Sequence, residues 1–336
     1  MVIAIGQDGC HSIIYLPGQY KGFYGNQQEK KSMPDRQQRY RGSLLGLAVG
    51  DALGTTLEFR QRGSFEPITD MVGGGPFLLK PGQWTDDTSM ALCLAHSLLD
   101  CQGFDAEDQI RRYCDWCSSG YMSSNGRCFD IGATVSEAIS CYLRTGSPLA
   151  GSRDPFSAGN GSLMRLAPVV MYFSPDAEQA LHFAGESSRT THGAKECIDA
   201  CRYFAALLHQ AYAGTSEDCE ALLSCEVYQP EAARVQAIQQ GHYRHKSRDE
   251  INGSGYVIDC LEAALWCFYH TDSFSDAVLA AANLGDDADT TAAVCGQLAG
   301  AWYGLDGIPL HWQERVVMGM DILELADRLE ESSGRR

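Results

Sequence analysis

At 336 residues, 44% of them hydrophobic and 21% charged, the chain can bury a substantial core as one large domain or two ordinary ones, and it is not a disordered polymer. Its net charge of −17 at pH 7 disfavours nucleic acid and anionic membrane as general partners. No apolar run reaches the roughly 20 residues of a spanning helix, and the opening residues lack the basic and apolar regions of a secretory leader. A cytoplasmic location is the expectation.

The charge is uneven. Residues 1–41 hold six Lys/Arg against three Asp/Glu, a net of +3, and everything after them carries −20. Within that first stretch Val2–Ile5 and Ser12–Leu16 are short apolar runs of strand type. Residues 18–40 are rich in Gly, Gln and charge, with aromatics at Tyr20, Phe23 and Tyr24. The reading is an N-terminal extension over residues 1–40 and a single domain over 41–336.

From Arg41 the pattern is helical, with Leu44, Leu45, Leu47, Ala48 and Ala52 near the 3.6-residue period. Gly46 and Gly50 on the same run leave room for a neighbouring backbone. A Gly/Pro-rich loop then leads to Trp84-Thr85-Asp86-Asp87-Thr88, which opens a helix apolar on most sides (Met90 to Leu99) and hence buried. Asp105 caps a helix to about Ser118, and a polar loop carries Asp130 into another over Ala133–Leu143. Gly159-Asn160-Gly161-Ser162 is read as a loop opening a helix, where backbone N–H groups would face an anion. Further helical patterns lie near 176–190, 194–213, 216–224, 256–271, 275–283, 290–303 and 320–332. Strand-like alternation is almost absent after residue 41, so the fold class is all-α, a compact multi-helix bundle. No repeat of solenoid length is visible.

The 14 cysteines read as reduced core residues, because most sit inside apolar helical patterns. Cys114-Asp115-Trp116-Cys117 has no partner pair for zinc and no βαβ context, so it reads as structural.

The chemistry concentrates in Gly285-Asp286-Asp287-Ala288-Asp289-Thr290-Thr291, followed at once by an apolar helix. Asp and Thr at a helix start have an ordinary use as caps. Capping needs one or two such groups, however, and carboxylates this close repel unless a positive charge sits among them. With the Thr85–Thr88 cluster they read as two halves of one site for a hard cation such as Mg²⁺ or Mn²⁺, for which carboxylate and hydroxyl oxygens suffice.

At this point the chain resembles the ADP-ribosylglycohydrolases. The resemblance rests on GSLLGLAVGDALGTTLEF (42–59), QWTDDTSMA (83–91), DIGATV (130–135) and GNGSLMRLAPV (159–169). THGAKECIDAC (191–201), GSGYVIDCLEAALWCF (253–268) and NLGDDADTTAAVCGQLAGAWYG (283–304) complete it. It is nearest in look to the branch containing the dinitrogen-reductase-activating glycohydrolase and the arginine-linked ADP-ribose hydrolases. The resemblance implies a compact all-α domain holding two divalent cations, Mg²⁺ or Mn²⁺, that cleaves the N-glycosidic bond between ADP-ribose and a protein side chain. It implies Thr85, Asp86, Asp87, Asp287, Asp289 and Thr290 as metal ligands, Glu58 beside the metals or bound to them through water, and Asp130 in acid/base work. Asp130 or Glu58 is the candidate to take or deliver a proton in catalysis. Asp286 departs from the pattern, which commonly has a small residue there. Asn160, Gly161 and Ser162 are candidates for the pyrophosphate, and His192 for either substrate contact or a polar cap. Tyr256 is read as an adenine stack or as packing, and Arg165 as fold support through a buried carboxylate pair ahead of a substrate contact. Trp266, Phe268, Tyr269 and Trp302 read as core.

Two function classes follow. One is an ADP-ribosylarginine hydrolase acting on modified proteins. The other is an immunity-type protein whose basic, aromatic extension binds and blocks an ADP-ribosylating toxin, with or without hydrolysis.

Overall fold

A computed structural model describes residues 33–216 and 218–334. The described part is built of helices: α1 (Arg36–Gly54), α2 (Asp86–Asp100), α3 (Ala106–Ser119), α4 (Ala133–Thr145), α5 (Ala167–Phe173), α6 (Ala177–Arg189) and α7 (Lys195–Ala213). There follow α8 (Cys219–Leu223), α9 (Ala233–Gln239), α10 (Val257–Tyr269), α11 (Phe274–Ala282), α12 (Ala288–Tyr303), α13 (Leu310–Arg315) and α14 (Gly319–Ser333). Among the described residues there is no strand, only three isolated bridges. The all-α expectation holds. The strand-type runs and aromatics of residues 2–24 lie outside the described residues.

The frame is the antiparallel pair α1–α12. Gly42, Gly46, Gly50 and Gly54 recur every fourth position, so they form one stripe along α1. Against it lie Gly300, Gly296, Ala292 and Ala288 of α12. A Cβ on Gly42, Gly46, Gly50 or Gly54 would fall 2.3, 2.4, 2.1 or 2.3 Å from the carbonyl oxygen opposite. The two backbones are therefore in contact along nearly the whole length of both helices. This pairing sets the C-terminal end of α1, with Asp51 and Glu58, beside the N-terminal end of α12, with Asp287 and Asp289.

Both helices are buried on all sides, as is most of α2. Most of their leucines, valines and alanines belong to one large core, while Leu47, Ala91 and Ala293 form a small cluster of their own where the three helices meet. Asp105 accepts from the N–H groups of Glu107 and Asp108, as its position at the start of α3 predicts.

Three local expectations are corrected, and two short helices had none. Helix α1 starts at Arg36 rather than Arg41, with the Asp35 side chain accepting from Gln38 N at 2.8 Å. Its first turn looks polar, yet Arg39 and Tyr40 are buried and bond to Ala301 O and Met171 O, so charge hid a packed helical turn. Gly159–Ser162 does not open a helix: residues 161–165 form a turn and α5 begins at Ala167. The cause is Gly159 pairing with Tyr256 in an isolated bridge, which pulls the loop away from helical geometry. Arg165, fully buried, has no carboxylate partner among the described residues. It donates to Gly161 O and Thr191 Oγ1 and lies over the Tyr113 ring. Finally, α9 and α13 are too short to show a period, burying only Val235 and Ile238 in one and Trp312 in the other.

Candidate active site

Asp51 explains why the Asp/Thr clusters are free for chemistry. Its fully buried carboxylate, near the end of α1, accepts from Thr85 N and Oγ1 (2.9 Å each) and from Thr88 N and Oγ1 (3.1 and 2.6 Å). The first turn of α2 is thus capped from another helix. Thr85, at the N-cap position, makes no side-chain cap bond, and neither does Asp287 at the start of α12. Ordinary capping therefore does not account for these residues.

Thr85 and Asp289, 204 positions apart, meet: Thr85 Oγ1 is 3.2 Å from Asp289 Oδ2 and 3.4 Å from Asp87 Oδ2. Thr290 Oγ1 lies 3.5 Å from Asp87 Oδ2, and Asp87 Oδ1 is buried with no hydrogen-bond partner. The backbone N–H of Thr290 donates to Asp289 Oδ1 at 2.8 Å. Asn160 Nδ2 donates to Asp287 Oδ2 at 2.7 Å. Asp86 turns into the same space and is 7% exposed.

Glu58 and Asp130 arrive from loops. Glu58, Asp130 and Asp289 each present a carboxylate oxygen, and the three lie within 4.8 Å of one another. Glu58 is 3% exposed and its Oε2 has no partner. After Glu58 the chain is clamped to the segment before Asp287: Phe59 N donates to Asp286 O (2.7 Å) and Asp286 N to Arg60 O (2.8 Å). Phe59, Asp130 and Asp286 all have left-handed backbones (φ 60, 61 and 55°), a conformation that costs on the order of 1 kcal/mol or more in such residues.

Glu58, Asp86, Asp130, Asp287, Asp289 and Thr290 line a cavity of about 880 Å³, whereas Thr85 and Asp87 are not on its wall. Among the described residues that wall carries six carboxylates, Asp286 included, and no lysine or arginine. Burial dominates the proton affinities of Asp51, Glu58, Asp86, Asp87, Asp130 and Asp289. Burial and then Asp130 push Glu58 up to about 9, and burial pushes Asp130 up to about 7. Asp51 rises to about 6, burial outweighing the bonds from Thr88 and Thr85. Asp86, Asp87 and Asp289 are raised well above the carboxylate range by burial and by their acidic neighbours. Carboxylates packed in this way accept either protons or metal cations.

The remaining predicted residues divide. Asn160, Gly161 and His192 line the cavity. A Cβ on Gly161 would come 2.8 Å from His192 Cε1, so the glycine is required by the imidazole beside it. Burial, with Arg165 adding to it, lowers His192 to about 3; it is neutral, and its Nδ1 pairs with Thr191 Oγ1. Ser162 is turned away, its hydroxyl bonded to Ser188 Oγ and Cys201 Sγ. Two of the loop's N–H groups are already used, Gly159 on Ser157 O and Asn160 on Gly255 O. Tyr256 lines an adjoining pocket with Arg234 and Phe156; its hydroxyl accepts from Arg234 Nη1 and bonds Glu196. Asp286 is exposed, on the same cavity wall as the other carboxylates. Asp51 was missed as a site residue. Its signal was a lone carboxylate inside an otherwise apolar helical run.

Ends of the chain far apart in sequence thus define an all-α protein with a deep carboxylate-lined cavity of nucleotide-binding size. The chain belongs to the ADP-ribosylglycohydrolase family, which it matches over residues 32–336. It is 46% identical to the ADP-ribosylarginine hydrolase Tri1 of Pseudomonas putida (strain GB-1) over 87% of this chain and 77% of that one. It is 32% identical to the ADP-ribosyl-[dinitrogen reductase] glycohydrolase of Rhodospirillum rubrum, covering 86% and 93% of the two chains. A solved structure described as an ADP-ribosylglycohydrolase-related protein complex superposes with a TM-score of 0.78 at 41% identity, covering 89% and 99%.

Proposed function

We propose that this chain is a divalent-cation-dependent hydrolase that removes mono-ADP-ribose from arginine side chains of proteins, reversing that modification. The observation that carries it is the buried carboxylate set with no basic residue on its wall, in a family member whose relatives include a named ADP-ribosylarginine hydrolase. The orphaned Asp87 Oδ1 and Glu58 Oε2 fit a cation, since a buried oxygen without a donor is otherwise costly. Thr85, Asp86, Asp87, Asp287, Asp289 and Thr290 would hold two ions, Mg²⁺ or Mn²⁺, with Glu58 beside them. When bound, these ions supply positive charge that fixes ribose hydroxyls and polarises water.

Around that centre the chain's own groups have distinct tasks. Water adds to C1″ of the ribose as the C1″–N bond breaks, and positive charge builds on the sugar in transit. The surrounding carboxylates stabilise that charge. Asp130, set at the cavity wall by its left-handed backbone, accepts the water proton at a carboxylate oxygen. The bond pair leaves with the guanidine, which departs neutral and then takes that proton. Asn160 orients Asp287, and neutral His192 shapes the Gly159–Gly161 loop without placing a positive charge among the cations.

The catalytic domain of this reading is residues 41–336 as read from the sequence, with its first helix reaching back to Arg36. None of the described cysteines is in a disulfide, which fits a cytoplasmic setting, and among the described residues no helix is long and apolar enough to cross a membrane. The extension's +3 against a −20 body keeps the toxin-blocking reading as a second role. The test of the main reading is chromatographic detection of free ADP-ribose after incubation with arginine-modified and with serine-modified protein. Release from the arginine adduct is expected; release from neither would overturn it.

A further inference from the structure

The mouth of the cavity carries apolar surface that the hydrolysis does not use. The turn Gly74–Leu79 is closed by reciprocal bonds between Gly74 and Leu79 (2.8 and 2.9 Å) and by Leu78 N to Gly75 O (3.2 Å). It is pressed against the end of α1: a Cβ on Gly75 would fall 2.1 Å from Thr55 O. From this anchored turn Phe77 packs between Phe59 and Phe129, with ring centroids 6.4 and 5.2 Å away. Those two rings belong to the residues next to Glu58 and Asp130. Next to Phe77, Leu78 is 86% exposed, and Phe59 is 68% exposed.

Leu78 and Phe59 both sit in left-handed backbone (φ 54 and 60°), which disfavours them and yet turns them to solvent. In the free protein that exposure gains nothing, and large apolar side chains gathered at a cleft mark interaction surfaces. Charge completes the patch. Asp286 is exposed on the cavity wall, and its backbone oxygen accepts from Phe59 N. The guanidinium of nearby Arg60 is directed to Ser64 O.

We propose that Phe59, Phe77 and Leu78, with the Asp286 carboxylate beside them, dock the polypeptide that carries the modified side chain. The partner is a segment with an apolar residue and a cationic residue close to the modified position. This rests on the hydrolase reading: if the scissile bond lies among the buried carboxylates, the target backbone is held within one side chain's length of this mouth. An acidic wall without lysine or arginine selects a cationic segment.

The experiment compares the wild type with Leu78→Asn. Leu78 does not line the cavity, and asparagine tolerates its left-handed backbone. Two substrates are used: a protein mono-ADP-ribosylated on arginine, and free ADP-ribosyl-arginine. Leu78→Asn is expected to raise KM for the modified protein about fivefold with kcat unchanged, and to leave both constants for ADP-ribosyl-arginine as they were. An unchanged KM for the protein, or an equal rise on both substrates, would overturn the docking surface. Calorimetric binding of the modified protein to enzyme in excess chelator reads the patch without turnover. Weaker binding to Leu78→Asn supports it and equal binding refutes it, so a wild type that cleaves neither substrate counts against the hydrolase reading alone.

Discussion

The Asp51 carboxylate takes both the backbone N–H and the hydroxyl of Thr85, each at 2.9 Å, and so does for α2 the work its own first residues would do. Helix capping and the acidic site are thereby separated onto different residues. Asp51→Asn keeps one acceptor but turns an NH₂ toward either Thr85 or Thr88. The expected loss is about 2 kcal/mol of unfolding free energy, from buried donors left unpaired. Hydrolysis should also fall, because Thr85 and Asp87 lose their register. Denaturant unfolding with parallel activity assays checks both, and an unaltered midpoint would show the cap is not needed.

Of the four α1 glycines, Gly50 makes the tightest approach to α12, at Ala292. Gly50→Ala puts a methyl 2.1 Å from Ala292 O, so the helices must part. Overpacking of this kind costs about 3 kcal/mol, and it moves Asp51 relative to Asp289. Gly334→Ala, where the backbone is right-handed (φ −74°) and the nearest atom lies 3.8 Å away, is the control for a glycine of no packing consequence. Lower thermal stability for the first alone, together with weaker Mn²⁺ binding, is the expected pattern.

Proton linkage gives a sign that runs against ordinary acid denaturation. Asp51, Asp130 and Glu58 are raised to about 6, 7 and 9 in the fold, against roughly 4 when unfolded. Between those limits the folded protein holds more protons than the unfolded chain. Stability of the cation-free protein from these groups is therefore full below about pH 4 and is lost as pH rises through 6 to 9. Mn²⁺ or Mg²⁺ should raise Tm much more at pH 8 than at pH 5. Calorimetric scans with and without cation read this directly; a cation effect that is flat with pH would contradict it.

Asp289→Ala separates holding the site from holding the fold. Removing one of several repelling buried carboxylates should abolish hydrolysis while leaving the cation-free Tm at pH 8 equal or higher. A fall of several degrees would mean that Asp289 serves the fold instead.

Much of this was legible in the sequence because helical periods are strong in α2, α7, α10 and α12, and because both Asp/Thr clusters stand beside apolar runs. Their meeting was also legible, since so many carboxylates at two helix starts exceed what capping uses. What was hidden depended on tertiary partners. Arg39 and Tyr40 look like surface residues until Ala301 O and Met171 O are placed against them. Arg165 invited a carboxylate, but carbonyls, a hydroxyl and the Tyr113 ring hold it. The Gly159–Ser162 loop reads as a helix opening, and only its bridge to Tyr256 shows otherwise.

The central claim is that Thr85–Asp87 and Asp287–Thr290 form one cation-dependent hydrolytic centre. The measurement that tests it most directly is release of ADP-ribose from an arginine-modified protein after chelation, then after adding back Mn²⁺ or Mg²⁺. The account predicts loss of release in excess chelator and recovery with either ion in the wild type, but no recovery in Asp87→Ala. Undiminished release in excess chelator would contradict it.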